Sequence, residues 1–252
     1  MNSFDYLECA VTIAKEAGKK LIAEQTVGVE ILSNTGKDIK LKADQLSEEI
    51  IVNFLSEKTS LPILGEESGL HGDSLTDTAY WVIDPLDGTL NYLRGVPFYC
   101  ISIGLWHGQE PVLGVIYDLS RQKMYTGIVG EGAWLDGERI RVADTISQRQ
   151  AVLATGFPTY RDYENVQLQR FIEDIQSFKK VRLFGAAALS LALLSAGVVD
   201  AYAEEDIMFW DVAAGIALVK AAGGTVRYEA SSRIKWGMSV FCACDPNLLP
   251  ET

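Results

Sequence analysis

Hydrophobic and polar positions follow two different periods along the chain. Near the N-terminus apolar residues recur every three or four positions, which predicts an amphipathic helix over residues 4–21 and a second helix that begins near Asp44. Short β-rich runs separated by turn residues follow, and they predict strands at residues 61–64, 80–83, 101–106, 112–117 and 123–128. The Asp136-Gly137 pair inside residues 134–142 predicts a β-hairpin.

The second half of the chain mixes both periods. Helices are predicted at residues 164–178, 186–196 and 211–222, and strands at 151–155, 200–203, 225–228 and 239–244. Because the strands are grouped between helices and do not alternate strictly with them, the pattern favours layered α+β packing over a doubly wound sheet. No repeat, low-complexity tract or linker interrupts the chain, so we expect one domain over residues 1–252.

Composition and charge narrow the class of protein. The chain has 252 residues, of which 48% are hydrophobic and 22% charged, as is ordinary for a globular protein. Its net charge of −12 argues against binding to nucleic-acid backbones or anionic membranes. The early acids Asp5 and Glu8 are unlike a signal peptide, and no apolar run could span a bilayer, so we expect a cytoplasmic protein. The four cysteines form no CxxC pair and are interpreted as reduced packing residues.

Acidic residues stand at the predicted ends of strands. The stretch WVIDPLDGTLNY carries Asp84 and Asp87 after an apolar run, and PILGEES carries Glu66 and Glu67 in the same way. In FWDVAAG, Asp211 lies at the predicted start of a helix. Each has an ordinary structural interpretation, namely a strand running into a turn, a solvated loop and a helix cap.

These acids would form a cation-binding site if the fold brings them together. Like charges a few ångströms apart repel by about 4 kcal/mol per pair at an effective dielectric constant near 20. Such a cluster needs cations, and ligands that are all oxygen select hard ions such as Mg²⁺. The sequence pattern alone does not establish that the acids are close.

The segments GEES, WVIDPLDGTLNY and FWDVAAGIALVKAAGG, in this order, resemble the three signature motifs of the inositol monophosphatase family. The resemblance extends over residues 37–244. It implies a Mg²⁺-dependent, lithium-sensitive phosphatase with a fold of alternating helix and sheet layers, usually a homodimer. The chain ends soon after the last predicted strand, so we expect most of the C-terminal helix of the family to be missing.

The resemblance also implies a ligand set for two to three Mg²⁺ ions per subunit. Glu66, Asp84 and the carbonyl group of Leu86 would bind the first ion. Asp84 would bridge to a second ion, which Asp87 and Asp211 would also bind. A third and weaker site would draw on Glu66.

The nucleophilic water also needs residues to orient it. By resemblance, Asp44 polarises Thr89, and Thr89 together with Glu66 positions the water. The phosphate group would lie against the loop that contains Leu86, Asp87, Gly88 and Thr89, with backbone N–H groups of Gly88 and Thr89 as donors and Asp211 nearby. The alternative for Asp44 is an acid at a helix start, where the helix dipole favours it.

Substrate specificity is expected from the second half. Gly185, Ala186 and Ala187 would let a polyol or sugar lie against backbone amides at a helix start, and Glu204 would accept hydrogen bonds from its hydroxyl groups. A plain turn and a surface charge are the alternatives. Lys37 falls in a segment that resembles a mobile loop of the family, and it is interpreted as a solvated charge.

The sequence therefore predicts hydrolysis of a small polyol or sugar phosphate, with inositol 1-phosphate as the leading substrate. Fructose 1,6-bisphosphate, histidinol phosphate or another sugar phosphate, and a 3′,5′-bisphosphate nucleotide remain alternatives. A non-catalytic relative that binds phosphorylated polyols or divalent ions is a further alternative from a different class. We assign His71 and His107 no role.

Overall fold

The computed structural model describes residues 1–35, 38–72, 75, 78–157 and 164–248. Lys37 lies outside these residues. Within them the helices are α1 (Ser3–Val27), α2 (Lys42–Lys58), α3 (Thr89–Arg94), α4 (Asn165–Gln176), α5 (Ala187–Ser195) and α6 (Phe209–Ala221). None of these helices combines the length and the hydrophobicity needed to cross a bilayer.

The first half of the chain builds a large sheet. A short antiparallel hairpin precedes it, formed by β1 (Ile31–Thr35) and β2 (Asp38–Leu41). The large sheet contains β3 (Ile63–Gly65), β4 (Gly69–His71), β5 (Ala79–Asp87), β6 (Cys100–His107), β7 (Glu110–Asp118), β8 (Lys123–Ile128), β9 (Gly132–Leu135) and β10 (Glu138–Ile140). Its strand order is β10-β9-β8-β7-β6-β5-β3-β4, and β3 with β5 is its parallel pair.

The second half builds a smaller sheet of five strands. These are β11 (Val152–Thr155), β12 (Lys180–Leu183), β13 (Ala201–Met208), β14 (Thr225–Ala230) and β15 (Gly237–Ala243). Their order is β12-β11-β13-β15-β14, with β11 parallel to both of its neighbours and the other pairs antiparallel.

Helices and sheets alternate in layers. Helices α1 and α2 share one apolar cluster with one face of the large sheet. Helices α5 and α6 lie between the two sheets, and their side chains contribute to a second cluster that includes both sheets and to a third that includes the large sheet. Close packing in this middle layer depends on small residues, since a Cβ atom on Gly114 of β7 would lie 2.2 Å from the backbone oxygen of Ala214 in α6. The layered fold predicted from the sequence is confirmed.

Most predicted elements are present, with ends that differ by a few residues. Helix α2 begins at Lys42, so Asp44 occupies its third position. The strand predicted at residues 80–83 is longer in the structure, because β5 continues to Asp87 and the chain turns at Gly88. Its pairing with β6 shifts register between Asp84 and Asp87, and this irregularity accommodates Pro85, which cannot donate a ladder hydrogen bond.

The cysteines agree with the interpretation as packing residues. All four are free thiols, and Cys100, Cys242 and Cys244 are buried. Burial also raises the pKa of the Cys100 thiol well above its usual value, which keeps the thiol protonated.

Candidate metal centre and substrate cavity

A cavity of about 520 Å³ opens where the ends of β3 and β5 meet the first turns of α3, α5 and α6. The predicted site residues Glu66, Asp84, Leu86, Asp87, Gly88, Thr89, Gly185, Ala186, Ala187, Glu204 and Asp211 all line it. Asp44 lies directly behind the wall, buried in α2. The fold therefore gathers at one cavity residues that are far apart in the sequence.

Three carboxylates form a group on the wall of this cavity. Parallel pairing aligns Gly65 of β3 with Ile83 of β5, so the next residues, Glu66 and Asp84, are neighbours. Asp211 enters from the first turn of α6. One oxygen atom from each of Glu66, Asp84 and Asp211 lies within 4.8 Å of the others. Three hard oxygen donors at this spacing fit a divalent cation such as Mg²⁺.

The electrostatics of the group favour a cation. Burial, followed by the charges of Glu67 and Asp44, raises the pKa of Glu66 to about 8. Burial and the charge of Glu66 also hold the pKa values of Asp84 and Asp211 well above their usual range. Carboxylates that resist ionisation beside one another are stabilised as anions when an opposite charge lies between them.

Asp87 has a hydrogen-bonding role in addition to its place at the cavity. One of its oxygens accepts a hydrogen bond from the N–H of Ala187 at 3.2 Å, and the other accepts those of Ala188 at 2.8 Å and Leu189 at 3.4 Å. Asp87 thus caps the N-terminus of α5 from another element. It lies outside the group of three carboxylates, although its charge raises the pKa of Asp84 and of Asp211.

Asp44 makes contacts that fit both of the roles considered for it. Its Oδ2 atom accepts a hydrogen bond from the backbone N–H of Leu41 at 2.7 Å, which is a capping contact at the start of α2. Its Oδ1 atom faces the hydroxyl group of Thr89 at 3.4 Å. Burial raises the pKa of Asp44 to about 7.

The loop between β5 and α3 is built by local hydrogen bonds. Asp84 accepts a hydrogen bond from the N–H of Leu86 at 2.9 Å, and the carbonyl of Leu86 accepts one from the Thr89 hydroxyl at 3.1 Å. Gly88 has φ of 87°, in the left-handed region, and a Cβ atom there would lie 3.0 Å from the Phe98 carbonyl. A glycine is therefore required at the point where the chain turns into α3.

The start of α5 is held against this loop by Asn91. Its side-chain amide donates hydrogen bonds to the carbonyls of Phe98 and Phe184, each at 2.8 Å. Gly185 and Ala186 thereby come to the cavity edge. The N–H of Ala187 donates to Asp87, so this amide is engaged within the protein and the predicted contact with a substrate does not extend to it.

Glu204 reaches the cavity from β13. Its side chain is buried, and the strand bulges just after it, between Glu204 and Ile207. Gly156 makes room for it, because a Cβ atom at that position would lie 2.6 Å from the Glu204 Oε1 atom.

Several contributors were missed by the sequence analysis. Lys40 lines the cavity and pairs with Glu67 at 3.0 Å; it is the one Lys, Arg or His among the described lining residues. Ser47 donates a hydrogen bond to the carbonyl of Pro85 at 3.0 Å. His71, to which no role was given, has its Nε2 atom 2.5 Å from the Ser68 hydroxyl and is not among the residues that line the cavity. The Ser47 contact joins residues that are far apart in the sequence, so no local pattern could predict it.

Comparison with known proteins places these features in a wider group. The model of the inositol monophosphatase family matches residues 4–245. The chain is 40% identical to Nus factor SuhB of Xylella fastidiosa over 86% of this chain and 79% of that protein. It is 36% identical to fructose-1,6-bisphosphatase/inositol-1-monophosphatase of Aquifex aeolicus over 87% of this chain and 84% of that protein. The solved inositol monophosphatase of Anabaena superposes with a TM-score of 0.82 at 33% identity, over 97% of this chain and 92% of that one.

Proposed function

Because the chain belongs to the inositol monophosphatase family and is thus a phosphoric monoester hydrolase, we propose that it uses Mg²⁺ to hydrolyse a small polyol or sugar phosphate. Inositol 1-phosphate is the leading candidate. The observation that carries the proposal is the carboxylate group of Glu66, Asp84 and Asp211, whose oxygens lie within 4.8 Å of one another. A binding protein has no evident need for the Asp44–Thr89 contact beside such a group.

The residues that would hold Mg²⁺ are Glu66, Asp84 and Asp211, together with Asp87 and the carbonyl of Leu86. When bound, the ions would activate a water, hold the phosphate oxygens and neutralise the leaving alkoxide. The burial of these carboxylates beside one another supports this assignment, since burial and their mutual charges raise the pKa values of Asp84 and Asp211, and a cation would stabilise their ionised forms.

Asp44, Thr89 and Glu66 are proposed to orient the attacking water. The Thr89 hydroxyl has two acceptors in reach, Asp44 at 3.4 Å and the Leu86 carbonyl at 3.1 Å. For Thr89 to accept a proton from the attacking water, its own hydroxyl proton must pass to Asp44, which requires the hydroxyl to point toward the carboxylate and not toward the Leu86 carbonyl. The pKa of Asp44, about 7, suits a proton acceptor that works near neutral pH.

The rest of the cavity is proposed to select the alcohol part of the substrate. Gly88 and Thr89 offer backbone N–H groups to the phosphate, and Gly185 and Ala186 leave space for a ring beside them. Glu204 is the proposed acceptor for substrate hydroxyl groups. Its burial at the cavity wall supports this role, because a buried carboxylate that accepts hydroxyl hydrogen bonds discriminates strongly against analogues that lack them.

A second candidate is hydrolysis of a bisphosphorylated sugar. The relative from Aquifex aeolicus carries both fructose-1,6-bisphosphatase and inositol-1-monophosphatase in its name. Lys40, on the cavity lining, is a cation that could face a second phosphate group. The two candidate substrates differ in the group to which the hydrolysed phosphate is attached, and the experiment below distinguishes them.

The test is a panel of phosphate esters ranked by kcat/KM in the presence of Mg²⁺. It contains inositol 1-phosphate, fructose 1,6-bisphosphate, histidinol phosphate, a 3′,5′-bisphosphate nucleotide and an aryl phosphate. We expect a polyol or sugar phosphate to rank first. A nucleotide in first place, or no release of phosphate from any ester, would overturn the proposal.

Further properties are proposed from the family alone. We expect two to three Mg²⁺ ions per subunit, inhibition by lithium, a single-domain homodimer and a cytoplasmic location. Light scattering after size-exclusion chromatography tests the dimer, and phosphate release in the presence of Li⁺ tests the inhibition.

A further inference from the structure

Helix α2 carries a second buried carboxylate, that of Glu48, in addition to the carboxylate of Asp44. Glu48 is only 2% exposed, although glutamate is usually a surface residue. It lies on the same face of α2 as Asp44 and Ser47, since residues three and four positions apart are neighbours on a helix. Each of the three touches a different part of the site.

Within the described part of the chain, the side-chain hydrogen bonds of Glu48 go to the turn that follows Glu66. Its Oε2 atom accepts a hydrogen bond from the N–H of Glu67 at 2.9 Å. Its Oε1 atom accepts one from the N–H of Ser68 at 2.7 Å and another from the Ser68 hydroxyl. Three donors on one ionised carboxylate make a strong, directional clamp, because hydrogen bonds to a charged acceptor are roughly twice as strong as neutral ones.

The residue directly before Glu66 also contacts this carboxylate closely. A Cβ atom on Gly65 would lie 2.7 Å from the carboxyl carbon of Glu48, so only glycine allows so close an approach. Gly65 is also the residue that pairs with Ile83 of β5. Glu66 is therefore held between a strand register that faces Asp84 and a clamp on the residues directly after it.

A second residue of α2, Ser47, makes a comparable contact with the segment that carries Asp84. Ser47 donates a hydrogen bond to the carbonyl of Pro85, directly after Asp84. One turn of α2 thus holds both acid-bearing segments, the first through Glu48 and the second through Ser47. The relative position of the two segments decides how far apart the Glu66 and Asp84 carboxylates stand.

We propose that Glu48 is a positioning residue that sets the placement of Glu66 beside Asp84 and so determines the affinity of the site for Mg²⁺. The inference rests on the proposed function, in which these two acids hold the ion. Glu48 does not touch the ion in this account. It acts through the backbone N–H groups of Glu67 and Ser68.

A purely structural role for Glu48 makes a different prediction. It would lower the melting temperature without changing the Mg²⁺ dissociation constant of the folded protein. The chain offers a matched control, because Glu49 is the next residue of the same helix and is exposed.

The test compares the wild-type protein with Glu48→Gln and Glu49→Gln after removal of bound metal. Glutamine keeps the shape of Glu48 but turns an N–H₂ group toward one of the donors, so part of the clamp is lost. Mg²⁺ alone is titrated by calorimetry, and the Mg²⁺ dependence of aryl phosphate hydrolysis is measured in parallel.

We expect Glu48→Gln to raise the Mg²⁺ dissociation constant by about 10–100-fold, the range for removing the partners that orient metal ligands. Activity at saturating Mg²⁺ should largely recover. Glu49→Gln should match the wild-type protein. A folded Glu48→Gln with the wild-type dissociation constant overturns the inference.

If Glu48→Gln does not fold, Ser68→Ala decides the question. It removes one donor from the clamp while leaving both backbone donors, so we expect a smaller rise in the dissociation constant, and an unchanged value overturns the inference. A wild-type protein that binds no Mg²⁺ would instead contradict the proposed function. The two failures are therefore distinguishable.

Discussion

At the residue scale, Asp44 combines a structural contact and a proposed catalytic contact. Its Oδ2 atom caps α2 through the N–H of Leu41, and its Oδ1 atom faces Thr89. Its buried position explains why its pKa rises to about 7 in spite of these hydrogen bonds. Substitutions at Asp44 therefore report on two roles that must be separated.

The first prediction separates them. If Asp44 acts through Thr89, the two form one unit, and losses within a unit are not additive. Asp44→Asn should lower kcat by about 10²–10⁴, the range for general-base assistance. Thr89→Ala should cause a similar fall, and the double variant should be scarcely worse than either. The measurements are kcat and melting temperature for the three variants. Losses in kcat that multiply in the double variant, or an Asp44→Asn variant that is unstable but fully active, would remove the pair from the mechanism.

Asp87 also has two roles to separate, the observed cap of α5 and the proposed binding of Mg²⁺. Asp87→Asn should lower the free energy of unfolding by about 1 kcal/mol, because it removes a negative charge from the N-terminus of α5. It should also raise the Mg²⁺ concentration needed for half-maximal activity, since it removes a proposed ligand. Melting and Mg²⁺ titrations measure the two effects. A loss of stability with an unchanged Mg²⁺ requirement would make Asp87 a helix cap alone.

At the element scale, two consecutive acids of strand β13 differ in their access to the metal centre. Glu204 lines the cavity of the metal centre and also an adjoining cavity. Glu205 is exposed and, of these two cavities, lines only the adjoining one. This difference in access provides a matched pair of substitutions.

Glu204→Gln should weaken discrimination among polyol and sugar phosphates by about 1–3 kcal/mol, the range for losing a charged hydrogen bond. Hydrolysis of an aryl phosphate should be nearly unaffected. Glu205→Gln should change neither. The measurement is kcat/KM for both substrate types, and equal losses on both in Glu204→Gln would place Glu204 in the chemical step or the scaffold.

Much of the site could be predicted from the sequence because the acids stand in short, distinctive motifs. The motifs predict which residues belong to the site, yet the hydrogen bonds that orient them come from pairing across long distances. The contact of Asp87 with α5 spans about a hundred residues, and that of Glu48 with Ser68 joins a helix to a turn. Helix α3, only six residues long, has no periodic pattern that could predict it.

At the scale of the whole molecule, the acid cluster links stability to pH. Burial raises the pKa values of Asp44, Asp87 and Glu66 from ordinary values of 3.8, 3.8 and 4.5 to about 7, 6 and 8. Between about pH 4 and pH 8 the folded protein without metal therefore binds more protons than the unfolded chain. Its stability is highest at the acidic end of this window and falls as the pH rises.

We expect the melting temperature of the metal-free protein to fall between pH 5 and about pH 8 for this reason. Added Mg²⁺ should raise the melting temperature by mass action, and the gain should grow with pH because the ionised carboxylates bind the ion. Scanning calorimetry with a chelator and with Mg²⁺ checks both. A gain in melting temperature that does not depend on pH would contradict ion binding by these carboxylates.

The most direct test of the central claim is phosphate release as a function of Mg²⁺ for the wild-type protein, Asp84→Asn and the control Asp144→Asn. Asp84 is the buried member of the carboxylate group, whereas Asp144 is exposed and pairs only with Arg141 among the described contacts. We predict no release by the wild-type protein in a chelator and saturable release with Mg²⁺. We further predict that Asp84→Asn loses activity by at least about 10²-fold and that Asp144→Asn is normal. Full activity in the chelator, or an Asp84→Asn variant as active as the wild-type protein, would contradict the account.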